Sequence, residues 1–468
     1  MTDLGFSSLI PPLVAIGFAM WTRQVYLSLF LGLIVGYTIL AGWNPIVGFG
    51  DALEALLRVF ESESNSSVII FSVLMGVLIN YTQSSGGVQG FVQWLENKGL
   101  VKSKRSAGFL AWGIGMVVFV ETNITCLVTG TVCRPIFDRH KISREKLAYI
   151  VDSTSSPVCI LIPLNAWGAF VVGLLAEQGI ESPVKVFVQS IPFNFYAILA
   201  LLLVVFVIIT QRDIGPMKDA ERRAMESTSE KEEHRSAASE LGNIEVESGI
   251  TPKALNMILP IVTMVLMMPV GLYVTGGGDI LNGSGSKSVL LAVTTSVFLA
   301  AILYRAQGIM KLPALSSRFI EGGRALMPMA IIMMLAFAIG NLTNEMGTGR
   351  YVAKVVGSSV SYILIPPILF LVSSAISFST GTSWGTFAIM IPIAVPLAYQ
   401  TGGALPLAIA AVLGGGVFGD HCSPISDTTI ISSLASMSDH IEHVKTQLPY
   451  ALIAGAATTL LFTLSAAF

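Results

Sequence analysis

Gly419-Asp420-His421-Cys422-Ser423-Pro424-Ile425-Ser426-Asp427-Thr428-Thr429 gathers two carboxylates, an imidazole and several hydroxyls around one proline, between two strongly apolar runs. An ionisable side chain at membrane depth costs several kcal/mol unless something pairs with it, so such residues mark ion pathways and binding sites. A matching cluster, Asp152-Ser153-Thr154-Ser155-Ser156-Pro157, stands in the first half of the chain. In both, proline removes a backbone donor and clashes with the carbonyl four residues back, while serine and glycine let the chain leave helical geometry. The freed carbonyls, with hydroxyls and a carboxylate, make an all-oxygen environment suited to Na+. The N-termini of broken helices turn positive dipole ends toward anionic groups.

Two symmetry-related cation sites are therefore expected. The first joins Thr122, Asn123 and Thr125 to Asp152, Ser153, Ser155 and Ser156; the second joins Thr380, Thr382 and Ser383 to Asp420, Ser423, Ser426 and Asp427. Glu121, Asn165, Trp167, Trp384 and His421 are expected to handle a substrate or a proton. Glu121 is an acid where the second half carries Ser379, so the two sites are not equivalent. His440 and His443, in the charged stretch before Lys445, read as solvated. A single Ser or Thr inside a span is more often a packing residue than a ligand. The weight rests on Asp152 and Asp420, acids beside a helix-breaking proline at matched positions. A carboxyl taken out of water holds its proton, and a bound cation expels it. Competition between Na+ and H+ for one carboxylate would by itself produce antiport.

The rest of the chain supplies a membrane setting. It is 53% hydrophobic and 12% charged, with a mean hydropathy of +0.73, against about 25% charged in an ordinary soluble domain. Apolar runs recur from Ile10 onward, each of about 17 to 25 residues and so long enough to cross a hydrocarbon core of roughly 30 Å as a helix. Alternating strand patterns are missing, which argues against a barrel. The net charge of −2 gives no support to nucleic-acid binding. Cys126, Cys133, Cys159 and Cys422 all lie in or against apolar segments and read as small core residues. There is no basic segment before Ile10 of the kind a cleavable signal peptide needs.

One hydrophilic stretch, 211–253, carries seven Lys/Arg among ten acids and reads as a solvated linker, partly helical or disordered. It separates 1–210 from 254–468, which resemble each other: Asn80-Tyr81-Thr82 with Gly86 recurs as Asn341-Leu342-Thr343 with Gly347, and the 121–125 and 379–383 clusters precede the two acid–proline clusters in the same order. Short loops expected on the cytoplasmic side hold fifteen Lys/Arg against five on the other, which places the linker inside and both termini outside. Satisfying that bias requires a re-entrant hairpin over 106–137 and, by the same logic, another over 363–398. The broken helices follow at 147–176 and 405–434. The expected fold is an all-α polytopic membrane protein of two inverted repeats, each with about five spans, a re-entrant hairpin and a broken helix. Irregular backbone at a hairpin tip survives in a membrane only where it lines a protein or water-filled cavity.

Gly381-Thr382-Ser383-Trp384-Gly385-Thr386 and the 419–428 motif closely resemble the NhaC-type sodium:proton antiporter family, and the resemblance extends over nearly the whole chain. It implies the ion transporter superfamily fold, commonly homodimeric, Na+ as coupling ion, and the plasma (inner) membrane of a prokaryote. Relatives in that family are assigned to Na+/H+ exchange, to malate/lactate exchange with Na+ and H+, and to amino-acid uptake. The leading expectation is a Na+/H+ antiporter working by alternating access; the second is a Na+-driven carrier of a small amino acid or carboxylate. No filter loop suggests a channel. No His-Glu-x-x-His motif or nucleophile and base pair suggests an enzyme.

Overall fold

The computed structural model describes residues 4–22, 24–97, 103–119, 122–163, 165–226, 251–280, 283–348, 351 and 361–467. Glu121, expected at the first hairpin tip, lies outside the described residues, as does 227–250 of the linker. Among the described residues the secondary structure is helical throughout. The first half holds α1 (Ile10–Thr22), α2 (Val25–Leu40), α3 (Pro45–Arg58), α4 (Glu63–Ser84), α5 (Gly87–Asn97), α6 (Lys104–Val117), α7 (Thr122–Arg139), α8 (Arg144–Ser153), α9 (Ser156–Leu161), α10 (Ala166–Glu177), α11 (Pro183–Ser190) and α12 (Phe195–Thr210). After α13 (Pro216–Glu226) come α14 (Leu255–Thr275), α15 (Gly285–Ala306), α16 (Leu312–Ala325), α17 (Met327–Glu345), α18 (Ile365–Thr380), α19 (Ser383–Thr401), α20 (Leu405–Cys422), α21 (Asp427–Ser436) and α22 (His440–Ala467).

Among the described residues seven helices are long and apolar enough to cross a membrane, or up to nine when each bent pair counts as one span. This is an all-α, multi-pass membrane protein. Its outer faces are apolar rather than charged: Leu202, Phe206 and Ile209 on α12, Phe298 and Ile302 on α15, and Leu460 and Leu464 on α22 are all exposed. Such side chains belong against lipid tails, where burial inside the protein brings no hydrophobic gain.

What holds the helices together is small residues and interhelical hydrogen bonds. α4 crosses α16 with Gly76 facing Gly322, and a Cβ on either would run into the backbone carbonyl of the other. Tyr81 Oη donates to the Leu315 carbonyl at 2.9 Å and Asn80 Nδ2 to the Arg318 carbonyl at 2.8 Å, so the crossing is also pinned by polar contacts. The packing is exchanged between halves: α15 and α16 pack on α4, while α2 and α3 pack on α17. Likewise α21 packs on α7, and α10 on α19.

Two elements differ from the sequence expectation. The break expected at 152–157 is a short turn at Thr154 and Ser155, because Pro157 falls in the first turn of α9, where no intrahelical N–H is needed. A larger bend of 43° follows at 162–165. There Pro163 stands in the gap and Asn165 starts α10 by accepting the Gly168 N–H at 3.0 Å. The linker is not wholly solvated either. α13 docks on the base of α8, burying Met217, Ala220 and Glu221. Glu221 Oε1 accepts from the N–H and Oγ of Ser143, and buried Lys146 pairs with Asp213 at 3.0 Å and Glu221 at 3.6 Å. Burial pushes the Asp213 carboxyl above its usual range while Lys146 pulls it back.

Gly322→Val should force α4 and α16 apart and lower stability by about 1–3 kcal/mol, the usual cost of overpacking a tight contact. A clear fall in the thermal midpoint in detergent is the expected result, and an unchanged midpoint would mean that the crossing is looser than described.

Candidate functional site

α21 is the element that gathers the site. α20 ends at Cys422, the chain turns through Ser423 to Ser426, and Ser426 restarts the helix as its N-cap, its Oγ accepting the Thr429 N–H at 3.3 Å. Successive threonines of this first turn then reach two different acids. Thr428 Oγ1 donates to Asp420 Oδ2 at 3.1 Å, and Thr429 Oγ1 donates to Asp152 Oδ2 at 3.0 Å. The acids expected to define two separate sites are thus joined through neighbouring residues of one helix.

Both carboxylates are buried, but their surroundings differ. Asp152 also receives Gln447 Nε2 from α22 at 2.6 Å and Ser432 Oγ at 3.4 Å. With three side-chain donors, it is satisfied by protein. Asp420 Oδ1 has no hydrogen-bond partner among the described residues. Asp427 is exposed and lies at the start of α21, where the helix dipole favours a negative charge; its Oδ1 accepts the Thr428 N–H at 2.9 Å.

A cavity opens beside Asp420 and Asp427. Its lining also includes Thr122 and Asn123 of α7, Trp167 of α10, Met329 of α17, Ser383 and Trp384 of α19, and Thr428. Seven of these nine residues are ones that the sequence singles out, and they come from both halves. The space open to the centre of a water molecule is about 20 Å³, enough for one or two waters. Besides Asp420 Oδ1, Thr122 Oγ1 and Asn123 Oδ1 lack a partner among the described residues. A buried polar atom left unpaired costs roughly 1–3 kcal/mol, so three in one cavity are a marked concentration of unmet oxygen. The Trp167 and Trp384 rings close one wall with centroids 5.1 Å apart. Among the described residues no group of three or more His, Cys, Asp or Glu converges as transition-metal ligands would.

Most of the remaining candidates have other partners. Thr125 donates to the Val118 carbonyl, Thr380 to Ile376, Ser423 to Phe378 and Ser383 to Gly416. Thr382 is the N-terminal flank of α19, and Ser155 bonds back to the Asp152 carbonyl. Ser156 Oγ is buried and unpaired among the described residues. Asn165 is spent on structure, donating to the carbonyls of Phe119 and Cys159 besides capping α10. Ser153 and His421 line a second cavity, of about 10 Å³, with Tyr149, Tyr196, Gln447 and Tyr450. His421 Nδ1 lies 3.1 Å from Tyr196 Oη. The sequence reading missed Gln447, Thr429 and Ser432, and it placed His443 in solvent; His443 is fully buried on α22. A signal was there: His443 and Gln447 are four residues apart and so share one helix face.

Residues 158–466 match the model of the Na+/H+ antiporter family. The chain belongs to that family. It is 33% identical to an uncharacterised protein of Haemophilus influenzae over 97% of this chain and 89% of the relative. Over 136 residues, 28% of this chain and 29% of the relative, it is 32% identical to the malate-2H(+)/Na(+)-lactate antiporter of Bacillus subtilis. In fold, the chain is similar to the YdaH transporter of Alcanivorax borkumensis, with a TM-score of 0.62, 13% identity, and coverage of 89% of this chain and 88% of that one. The family match includes α20 to α22 and the whole 419–429 motif, but it begins after Asp152. The antiporter-family chain therefore carries its cavity acids inside the matched segment.

Because Ser426 sets the first turn of α21, Ser426→Ala should cost about 1 kcal/mol while Ser426→Asn, another good cap, keeps most of it. Thermal unfolding in detergent reads the difference; equal loss in both variants would show that the cap is not what matters.

Proposed function

We propose that this protein is a Na+/H+ antiporter that binds Na+ in the cavity between its halves. Asp420 and Asp427 supply the charge, and Thr122, Asn123, Ser383 and Thr428, which line the same cavity, complete an oxygen shell. The observation that carries this reading is the convergence of three unpaired buried oxygens on one acid-lined cavity in a chain of the Na+/H+ antiporter family. A carboxyl here is protonated when the cation is away and gives up the proton when it arrives. Asp152, already satisfied by three donors, is read as a partner of the site rather than a ligand.

The halves 1–210 and 254–468 are read as inverted repeats that exchange access to the cavity, an arrangement supported by their exchanged packing. The excess of basic residues near α6 to α8 supports a cytoplasmic linker and termini outside, and the bacterial relatives support the inner membrane of a prokaryote. Room for one or two waters favours an ion over an organic acid or amino acid as cargo, although the two tryptophans offer a wall for a small solute.

In proteoliposomes, a jump in external Na+ should raise the luminal pH as Na+ enters and H+ leaves. Asp420→Asn should reduce the signal to that of protein-free vesicles. An undiminished response in that variant would remove Asp420 from the mechanism, and a response appearing only with an added carboxylate or amino acid would make the protein a Na+-coupled carrier.

A further inference from the structure

A line of hydrogen bonds leads away from Asp152 through residues that the cation reading does not use. Gln447 donates through Nε2 to two acceptors, Asp152 Oδ2 and the His421 carbonyl at 2.9 Å, which fixes the orientation of its amide. Its Oε1 therefore faces His443 Nε2, at 3.0 Å, and that nitrogen must carry hydrogen. At the other end, His440 Nε2 faces the Pro424 carbonyl at 2.6 Å, so it carries hydrogen as well. In both rings the nitrogen left to gain or lose a proton is Nδ1.

Those two nitrogens meet at one hydroxyl. Ser433 Oγ lies 2.8 Å from His443 Nδ1 and 3.1 Å from His440 Nδ1, and 2.7 Å from the Thr429 carbonyl. With both histidines neutral, two lone pairs and a carbonyl compete for a single hydrogen, and a buried acceptor goes unpaired. One added proton turns one ring nitrogen into a donor to Ser433 Oγ and leaves the hydroxyl hydrogen for the other nitrogen or the carbonyl. His443 is fully buried and His440 half-buried, so the arrangement runs from the rim of the protein to its interior.

We propose that His440, Ser433 and His443 form a proton relay, holding one shared proton and linked to Asp152 through Gln447. This rests on the antiporter reading and supplies its proton arm. An imidazolium at His440 gives its Nδ1 proton to Ser433 Oγ as the Ser433 hydroxyl passes its own hydrogen to His443 Nδ1. One N–H and one O–H bond break, one of each forms, the charge moves to His443, and the hydroxyl is regenerated. A cationic His443 polarises the Gln447 amide and strengthens its donation to Asp152. Asp152 and Asp420 in turn hold adjacent threonines of α21, so a proton on the histidines is felt at the cavity. Other groups could compete for this role. Around the pair, α8 contributes Asp152 and Arg144, the latter held by the Met437 carbonyl, and α20 contributes His421, bound to Tyr196 of α12. α13 contributes Arg223, paired with Glu442 of α22; α21 contributes hydroxyls.

Two measurements test the relay. Nitrogen NMR of histidine-labelled protein in detergent should show both rings with hydrogen on Nε2, titrating as a coupled pair in which one proton is taken up well before the second, and Ser433→Ala should uncouple them. Independent titrations unaffected by Ser433→Ala would overturn the proposal. In proteoliposomes, His443→Asn should cut Na+-driven proton flux by about a hundredfold, the low end for a positioned proton-transfer group, while leaving Na+/Na+ exchange largely intact; proton flux equal to the unaltered protein would also overturn it. If the unaltered protein moves Na+ without any pH change, the antiporter reading fails, and the NMR result still decides the relay.

Discussion

The structure depends on two carboxylates that have been taken out of water. A buried charge is tolerated only when hydrogen bonds or a counter-ion replace its hydration, and here the replacement comes from the first turn of α21. That demand explains the local sequence. α20 must stop short, which the 423–426 segment achieves around Pro424; α21 must restart at once, which the Ser426 cap achieves; and its first turn must present hydroxyls, which Thr428 and Thr429 do. Since Asp152 belongs to the first half and Thr429 to the second, the same interaction also ties the halves at the cavity.

The two acids are held differently, and the difference assigns them different work. Asp152 is held by Thr429 and Gln447 and approached by Ser432, so a cation would have to displace protein donors to reach it. Asp420 keeps one oxygen unpaired on a cavity that it shares with Asp427. A pair of carboxylates in contrasting environments is a common way for one site to handle two charges at one pH. In the proposed mechanism the cation goes to the poorly satisfied acid, and the well satisfied one reports the state of the histidines.

Much of this was legible in the residues. Composition and apolar runs point to a multi-pass helical protein, and Asp420, Asp427 and Thr428 of the second motif, with Thr122, Asn123, Ser383, Trp167 and Trp384, line one cavity. The helix is interrupted at Thr154 and Ser155, inside the expected 152–157 segment, but the larger bend lies further on, because Pro157 sits in a first turn that accepts it. Asn165 looked like a cavity residue, yet an Asn at a helix start is as readily a cap, and this one is. His443 was read from its charged neighbours as solvated; what buries it is packing against α8 and α21, which no local pattern announces. That Asp152 and Asp420 converge depends on contacts nearly three hundred residues apart, beyond the reach of motif spacing.

The central claim is that Na+ and H+ compete for one acid-lined cavity. Calorimetric titration of the purified protein with Na+, repeated in buffers of different ionisation enthalpy, counts the protons released per ion bound. The account predicts proton release that shrinks as pH rises and the carboxyls arrive already ionised, and that disappears in Asp420→Asn. Na+ binding that releases no proton at any pH would contradict it.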